Sequence, residues 1–518
     1  MKTIDPSTVP DALSERDLEQ IQALVFRGWA RDFPYAGFLF VKLPRTYEPP
    51  DSKPDPGRAR AWLRAVSADV AYMKGPTATT LPAGGDRTLP GRLQLAFTTR
   101  GLRALGLDEQ VLKRFPYEAK AGMERRARVL GDRITLAETQ KELIPDPENL
   151  ILIEENKPMP TDWLDEERGG MDLRDCDAMI MLYGASRQDV IAIDDAQRKR
   201  LAEHGGTAIR TEMSGEWKER EPFGFADGLS QPAVKGQPAR GGVAPSPNNE
   251  IAAGEILLGY RNQYGQVPKS PAFDVEPDDS AGFDVGKNGT FLVFRKLEQD
   301  VKGFWETFGK LARDWQGVAG IPSSIEEATH WLAARAMGRW TNGNSVLLRP
   351  DAPGEKMKPD EINEFAYGAD AGGVKCPIAS HVRRANPRDE RGGDASDSWK
   401  VVMRHRILRR GRAYGDLPTI DQAMKGDVSE YPMGLLFVCL QSSIAKGFEF
   451  VQQIWNNNPG FHGIYQEPDP ITGPGDSTFT IPHEPARLRT PPLPRFVIPR
   501  GGGYFFVPSR ATIELLAG

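Results

Sequence analysis

The feature that most narrows the fold is a pattern that occurs twice along the chain. Short apolar runs of strand length are each followed by a helix-length stretch, with turn-forming residues between them. In the first half, Gly37–Leu43 and Arg92–Thr98 have strand composition, and Leu93, Leu95 and Phe97 alternate with other side chains. Ala59–Val70 between them has helical composition. Ala178–Tyr183 (AMIMLY) reads as a buried strand and Arg187–Glu203 as a polar helix. A Pro/Gly-rich stretch from Gln231 to about Pro247 separates the halves, and the pattern then restarts. Gly289–Arg295 (GTFLVFR) is a strand, with Leu297, Val301, Phe304, Phe308 and Leu311 marking one face of a helix behind it. Ser324-Ile325-Glu326-Glu327 is a capping box that opens a helix to about Trp340. Leu435–Leu440 is a strand, and Ile444, Phe448, Val451 and Trp455 stripe the next helix. Tyr504–Val507 closes the pattern as a strand after three glycines.

Short strands mixed with helices that can lie on one face of a sheet favour α+β with antiparallel sheets over a doubly wound parallel sheet. A length of 518 residues suits two fused domains, with the expected division at 1–235 and 236–518. No Gly-rich phosphate loop of either nucleotide-binding pattern is present, which disfavours nucleotide chemistry. Lys and Arg total 66 against 71 Asp and Glu, a net charge of -5 that gives no broad attraction to nucleic acid or an anionic membrane. The 3 cysteines, Cys176, Cys376 and Cys439, are too few for a disulfide framework or a thiolate cage and suit a reducing compartment. The opening residues, Met1-Lys2-Thr3-Ile4-Asp5-Pro6, carry neither the apolar core of a signal peptide nor a twin-Arg pair. The apolar run near Leu435–Leu440 is far short of a membrane span. A cytoplasmic protein without nucleic-acid or membrane partners is expected, and a homo-oligomer stays open.

Three segments could carry chemistry. Of the 6 histidines, His381 stands apart, in Cys376-Pro377-Ile378-Ala379-Ser380-His381-Val382-Arg383-Arg384-Ala385-Asn386-Pro387-Arg388. Its imidazole, flanked by small residues, can approach a flat macrocycle, and the adjacent arginines could meet carboxylates. A surface or hydrogen-bonded structural histidine is the commoner outcome for such a residue. No histidine pair has the spacing of a zinc site, whereas one protein ligand suits haem, whose porphyrin supplies four nitrogens. In Phe223-Gly224-Phe225-Ala226-Asp227-Gly228-Leu229-Ser230-Gln231-Pro232, a tight turn presents one carboxylate, or holds an Asp that bonds its own backbone. The third segment, Arg406-Ile407-Leu408-Arg409-Arg410-Gly411-Arg412-Ala413-Tyr414, also reads as a solvated basic strand end.

Taken in order, these segments resemble the dye-decolourising peroxidases, especially the longer bacterial and fungal members. The family's Gly-x-x-Asp-Gly turn is matched by Gly224-Phe225-Ala226-Asp227-Gly228, its haem-ligand segment by His381–Arg388, and its distal-arginine segment by Leu408-Arg409-Arg410-Gly411. Gly254–Tyr260, Gly289–Leu297 and Gly501–Phe506 are similar as well, so the likeness runs from about residue 20 to the C-terminus. The resemblance implies two ferredoxin-like domains of the dimeric α+β barrel type, with haem b (iron protoporphyrin IX) held by the C-terminal half. It implies His381 as axial iron ligand, Asp227 and Arg409 as catalytic residues acting on hydrogen peroxide, and aromatic reductants giving up single electrons. Arg383 would meet the haem carboxylates, and Leu435 and Phe437 would line the oxygen side. Asp469, then Glu449, are candidates for the carboxylate behind His381, and Tyr414 resembles a radical relay or is ordinary packing. The alternatives are a haem protein for storage or iron release, and a haem-free α+β binding protein.

Overall fold

The computed structural model describes residues 6–46, 53–74, 80–84, 87–133, 160–238, 246, 248–272, 283–391, 394–484 and 486–518. Strands β1 (Tyr35–Lys42), β2 (Thr88–Phe97), β3 (Ala178–Gly184) and β4 (Thr207–Met213) lie in the first half. Strands β5 (Thr290–Gln299), β6 (Leu408–Arg409), β7 (Arg412–Tyr414), β8 (Gly434–Gln441) and β9 (Val497–Val507) lie in the second. The first group is ordered β4-β1-β3-β2, with helix α1 (Pro56–Ser67) after β1 and α2 (Arg187–Glu203) after β3. The second repeats the scheme as β9-β5-β8-β7, with α3 (Val301–Asp314) after β5 and the helical segment 448–456 after β8. Both are antiparallel β-α-β-β-α-β units of the ferredoxin-like kind. The sheets join through the pair Phe506–Phe97. Between α3 and β6 the second unit carries α4 (Ile325–Met337) and the short helix α5 (His381–Ala385); after β9, α6 (Arg510–Ala517) packs against α1.

The helices begin where local chemistry satisfies their free N–H groups. Asp55 accepts from Arg58 N–H with Pro56 in the first turn, and Ser186 and Asp189 form a reciprocal capping box. Packing then follows the period of two along each strand. Phe38 and Phe40 of β1 point into the space between the sheets, where both meet Phe294 of β5 at centroid distances of 5.4 and 5.0 Å. Leu39 and Val41 face the opposite way, into the layer beneath α1 and α2. In β5, Leu292 and Phe294 join the inter-sheet core, while Arg295, Leu297 and Gln299 face a cavity on the outer side.

Several local expectations change. Leu297 belongs to β5 rather than to the following helix, because the strand runs to Gln299 and Asp300 caps α3 through Gly303 N–H. The buried stripe of α3 is therefore Val301, Phe304, Phe308 and Leu311, joined by Trp305. Helix α4 stops at Met337 because Gly338 takes a left-handed φ of 90°. Ile444 precedes the next helix, and from Val451 to Asn456 that segment widens into a π-helix. Residues 239–245 and 247 of the Pro/Gly-rich stretch lie outside the described residues.

Gly434 opens β8 directly against the Leu297 carbonyl of β5, where any Cβ would collide with backbone. Gly434→Ala is expected to cost about 1–3 kcal/mol of stability, read as a lower denaturant midpoint. A midpoint equal to that of the parent protein would contradict this close approach.

Candidate functional site

The cavity outside β5 gathers side chains that are far apart in sequence. Its sheet wall is Arg295, Leu297 and Gln299 of β5, Leu435 and Phe437 of β8, and Val497 and Pro499 of β9. His381 with Val382, Ala385 and Asn386 enters from α5, and Phe448, Val451 and Gln452 from the segment after β8. Glu221 through Ser230 supply a turn, and Arg409 comes from β6. Of the residues singled out from the sequence, Asp227, His381, Arg409, Leu435 and Phe437 thus border one space.

His381 is held at the first residue of α5. Ser380 Oγ donates to the Arg335 carbonyl, and Arg384 donates to the carbonyls of Trp455 at 2.8 Å and Glu467 at 2.7 Å. The imidazole Nδ1 bonds Asp469 Oδ2 at 2.8 Å, so Nε2 is the nitrogen left for a metal. Asp469 Oδ1 accepts the Ile471 and Thr472 N–H groups at 2.8 and 2.9 Å. Burial pushes the Asp469 carboxyl up, but the charge and hydrogen bond of His381, the Thr472 N–H and Arg384 outweigh it and hold it below its usual range. This carboxylate orients the ring and favours a basic imidazole. Glu449, the second candidate, serves elsewhere: Arg126 holds it bidentately at 2.9 and 2.7 Å, and the Tyr504 hydroxyl donates to it at 2.8 Å.

Arg383 does not reach the cavity. It is fully buried on the other side of α5, with Nε on Glu390 Oε2 at 2.9 Å, Nη1 on Asp370 Oδ2 at 3.2 Å, and its guanidinium over Tyr367. Two helical positions are a rotation of about 200°, so a residue at i+2 turns away from the face that carries His381. Five arginines border the cavity: Arg295, paired with Asp132 at 2.6 Å, Arg495, 3.7 Å from Asp162, and Arg339, Arg406 and Arg409. Arg339 donates to the Gly343 carbonyl at 2.8 Å and Asn363 Oδ1 at 3.0 Å; Arg406 donates to the Ser230 carbonyl at 3.2 Å and Asn249 Oδ1 at 2.9 Å. Neither has a carboxylate within ion-pair distance among the described residues. Burial pushes Arg339 down to about 10 and Arg406 to about 9, with the nearby guanidiniums Arg388 and Arg409 adding to the shift in both. Two buried guanidiniums without a counter-charge make this edge of the cavity a receptor for an anion. The sequence signal was only a lone arginine in Gly338-Arg339-Trp340 and one more member of a basic run.

The turn from Phe223 to Ser230 is built on Gly224 and Gly228, with left-handed φ of 101° and 79°. Its register is fixed by Ala226 N–H to the Thr341 carbonyl at 3.0 Å and Asp227 N–H to the Glu219 carbonyl at 3.1 Å. Asp227 Oδ1 takes the Gly228 N–H at 2.6 Å and lies 3.6 Å from Arg409 Nη1, an ion pair about one-third exposed. The Arg409 N–H is tied to Gln231 Oε1 at 2.9 Å, while Arg410, the next residue, turns inward to the Leu24 and Val25 carbonyls. Adjacent positions thus face opposite ways, and of Arg409 and Arg410 only Arg409 borders the cavity.

Sequence reasoning missed His405, which borders the cavity, bonds the Lys446 carbonyl through Nδ1 at 2.6 Å and stacks on Phe450 at 3.6 Å. Burial pushes it down to about 4, so it is neutral at physiological pH. Tyr414 lies in the inter-sheet core, 7% exposed, with Lys296 Nζ 5.2 Å from its ring centre and its hydroxyl without a hydrogen-bond partner. It is not a surface side chain. Burial pushes its phenol above the usual range, reinforced by the Glu298 and Glu212 carboxylates.

Comparisons with known proteins fit this geometry. A family model described as Dyp-type peroxidase, C-terminal, matches residues 355–462, a span that includes His381, Arg409, Leu435 and Phe437. The multifunctional dye peroxidase DyP2 of an Amycolatopsis species is 31% identical over 360 residues, which cover 66% of this chain and 71% of that protein. The dye-decolorizing peroxidase AauDyP1 of Auricularia auricula-judae is 31% identical over 310 residues, 57% of this chain and 55% of its own length. Among solved structures, an ancestral D-type dye-decolorizing peroxidase aligns with a TM-score of 0.70 at 26% identity, over 96% of this chain and 98% of that one. A dye-decolorizing peroxidase in complex with 2,6-dimethoxyphenol aligns with a TM-score of 0.70 at 23% identity, over 97% and 99%. No helix among the described residues is long and apolar enough to cross a membrane.

Because Arg383 is committed to two buried carboxylates, Arg383→Met is expected to destabilise the fold by about 3–5 kcal/mol. The folded fraction should keep its cofactor content. A variant with an unchanged thermal midpoint but depleted haem would return Arg383 to the cofactor.

Proposed function

This chain belongs to the dye-decolourising peroxidase family, and from that premise we propose which residues reduce hydrogen peroxide at the expense of aromatic reductants. The observation that carries the assignment is a single cavity bordered both by an imidazole backed by a buried carboxylate and by an Asp–Arg pair 3.6 Å apart.

The cavity's chemistry suits haem b. His381 would hold the iron through its Nε2, Leu297, Leu435 and Phe437 would give the ring apolar surface, and Arg339 and Arg406 would meet the need of two carboxylates for counter-charge. Ser230 Oγ and Asn386 Oδ1 are buried at the cavity without hydrogen-bond partners, which leaves polar capacity for a ligand. When bound, haem would supply the redox chemistry, giving electrons to peroxide and taking them back singly from the reductant.

The protein's own part is to move one proton and to steady charge. Asp227 takes a proton on its carboxylate from one peroxide oxygen and returns it to the other, a form of general acid–base catalysis worth roughly 100- to 10,000-fold. Gly228 N–H on Oδ1 keeps one carboxylate oxygen fixed while the other stays available for the proton. Arg409 donates to the departing oxygen as negative charge gathers there. Asp469 holds His381 in the tautomer with Nδ1–H, which leaves the Nε2 lone pair for iron.

The same proposal divides the chain at about 235, so that Asp227 comes from the first domain and His381, Arg409, Leu435 and Phe437 from the second. Cys176, Cys376 and Cys439 are all buried and unpaired, which supports a cytoplasmic location. That Asp227 and Arg409 meet at the cavity favours peroxide chemistry over haem storage or iron release, neither of which needs a proton shuttle.

His381→Ala is expected to lose the Soret band of the purified protein, and an unchanged spectrum would remove the ligand assignment. Asp227→Asn or Arg409→Leu should slow the Soret change that follows one equivalent of peroxide by roughly tenfold or more. If the unsubstituted protein is inert to peroxide, the storage or release reading takes over.

A further inference from the structure

One end of the cavity carries polar groups to which haem has nothing to offer. The two carboxylates of the porphyrin have Arg339 and Arg406 to meet, and the rest of its rim is hydrocarbon. Arg295 stands four positions before Gln299, about 13 Å away along β5, and is paired with Phe437 of β8. Arg495, just ahead of β9, borders the same space. Three atoms of cavity-lining residues here are buried and have no hydrogen-bond partner among the described residues: Arg295 Nε, Arg495 Nη1 and Asn456 Oδ1. Two of them are donors and one is an acceptor.

Hydrogen bonds join the surroundings into one rim. Asp132 takes Arg295 Nη2 on its two oxygens at 2.6 and 2.7 Å. Arg495 Nη2 donates to the neighbouring Gly131 carbonyl at 3.4 Å, and its Nε to the Val497 carbonyl at 3.2 Å. Asn457 Nδ2 donates to the Leu130 carbonyl at 3.0 Å, and Gln452 Nε2 to Asn457 Oδ1 at 2.9 Å. Asn456 Nδ2 donates to Thr472 Oγ1 at 3.1 Å. Leu130, Leu297, Val451 and Ile471 give the same end its apolar surface. The two arginines differ in how they are held. Arg295 has a close carboxylate, whereas Arg495 has two long bonds to carbonyls and Asp162 Oδ2 at 3.7 Å, with its side chain 6% exposed. A guanidinium so enclosed and so loosely tied keeps donor capacity for a ligand.

Charge decides the class of that ligand. Arg295 and Arg495 are balanced by Asp132 and Asp162, so this end is neutral as a whole, unlike the edge at Arg339 and Arg406. An anion would meet two carboxylates here and a cation two guanidiniums. A neutral hydroxyl accepts from one group and donates to another with no charge to desolvate. We propose that this end is a subsite for neutral single-ring phenols, with the hydroxyl accepting from Arg495 Nη1 and donating to Asn456 Oδ1, and the ring against the apolar side chains. This rests on the reading that the cavity takes haem and that aromatic compounds are the reductants. A large anionic dye gains nothing from such a subsite and gives up its electrons elsewhere.

The test uses the haem-loaded full chain and Arg495→Met, which keeps the bulk of the side chain. Binding of 4-methylphenol to the resting protein, without peroxide, is read by isothermal titration calorimetry. Arg495→Met should weaken it roughly tenfold and raise the KM for this phenol likewise, with kcat held. The KM for a sulfonated anthraquinone dye and the Soret change after one equivalent of peroxide should match the parent. The methyl ether of the same phenol should bind the unsubstituted protein roughly tenfold more weakly than the phenol, since it has no proton for Asn456. That comparison decides the matter if Arg495→Met does not fold. Unchanged phenol binding in Arg495→Met, or equal affinity for phenol and ether, would mean that water alone fills this end and would overturn the proposal. A slower peroxide step in Arg495→Met, with phenol binding intact, would make it a passage for peroxide and overturn it equally. If the unsubstituted protein binds the phenol as described but is inert to peroxide, the subsite stands and the peroxidase reading fails.

Discussion

Strand β5 sets the terms for the rest of the molecule. It is central in its sheet, paired to β8 on one edge and β9 on the other, so its two faces must serve two different interiors. The period of two sends Leu292 and Phe294 into the inter-sheet core and Arg295, Leu297 and Gln299 toward the cavity. A slip of one residue would exchange these sets, placing Phe294 in the cavity and Gln299 in an apolar core. The long register with β9, from Val497 opposite Gln299 to Val507 opposite Thr290, makes that slip expensive. The cavity thus inherits its shape from a packing requirement on its far side.

Much of this was legible in the sequence where a signal is local. Alternation in Arg92–Thr98 and the apolar run Ala178–Tyr183 marked real strands, and Ser324 does cap a helix. Asp227 could be picked out because two glycines announce a backbone that few other residues adopt, and both take left-handed φ values. Illegible were the features that depend on direction or distance. Nothing in His381-Val382-Arg383 states that the helix turns Arg383 away, and Arg409 and Arg410 look alike until the fold turns them to opposite sides. Glu221 is an ordinary acid in a polar stretch until the chain folds two N–H groups onto it. The Leu297 misassignment has the same origin, since its spacing fits a helix and only the partner strands show that β5 continues.

Charge placement in this site follows a consistent division. The carboxylates of Asp469 and Glu221 are buried without a full salt bridge and are held chiefly by backbone N–H groups and single side-chain donors. The guanidiniums of Arg339 and Arg406 are buried against carbonyls and amides rather than acids. Dipoles fixed by the backbone do not reorganise during a reaction, and in a low-dielectric interior they act at full strength. The acid–base pairs that do close out of water are Arg295 with Asp132 at the cavity wall and Arg383 with Asp370 and Glu390 behind the helix, the latter serving its anchoring.

The position of β9 has a consequence for how such a site comes into being. Val497 and Pro499 complete a wall whose other parts, Arg295 and Leu297, lie some two hundred positions earlier, and α6 then seals the far end of the molecule against α1. Closing so long a loop costs entropy that no contact repays until it is made. Until then the imidazole and its carboxylate face an incomplete pocket, open along one side. Capture of a flat, greasy prosthetic group is thereby tied to global closure instead of to any one local element, and a chain caught half-way has no competent trap for it.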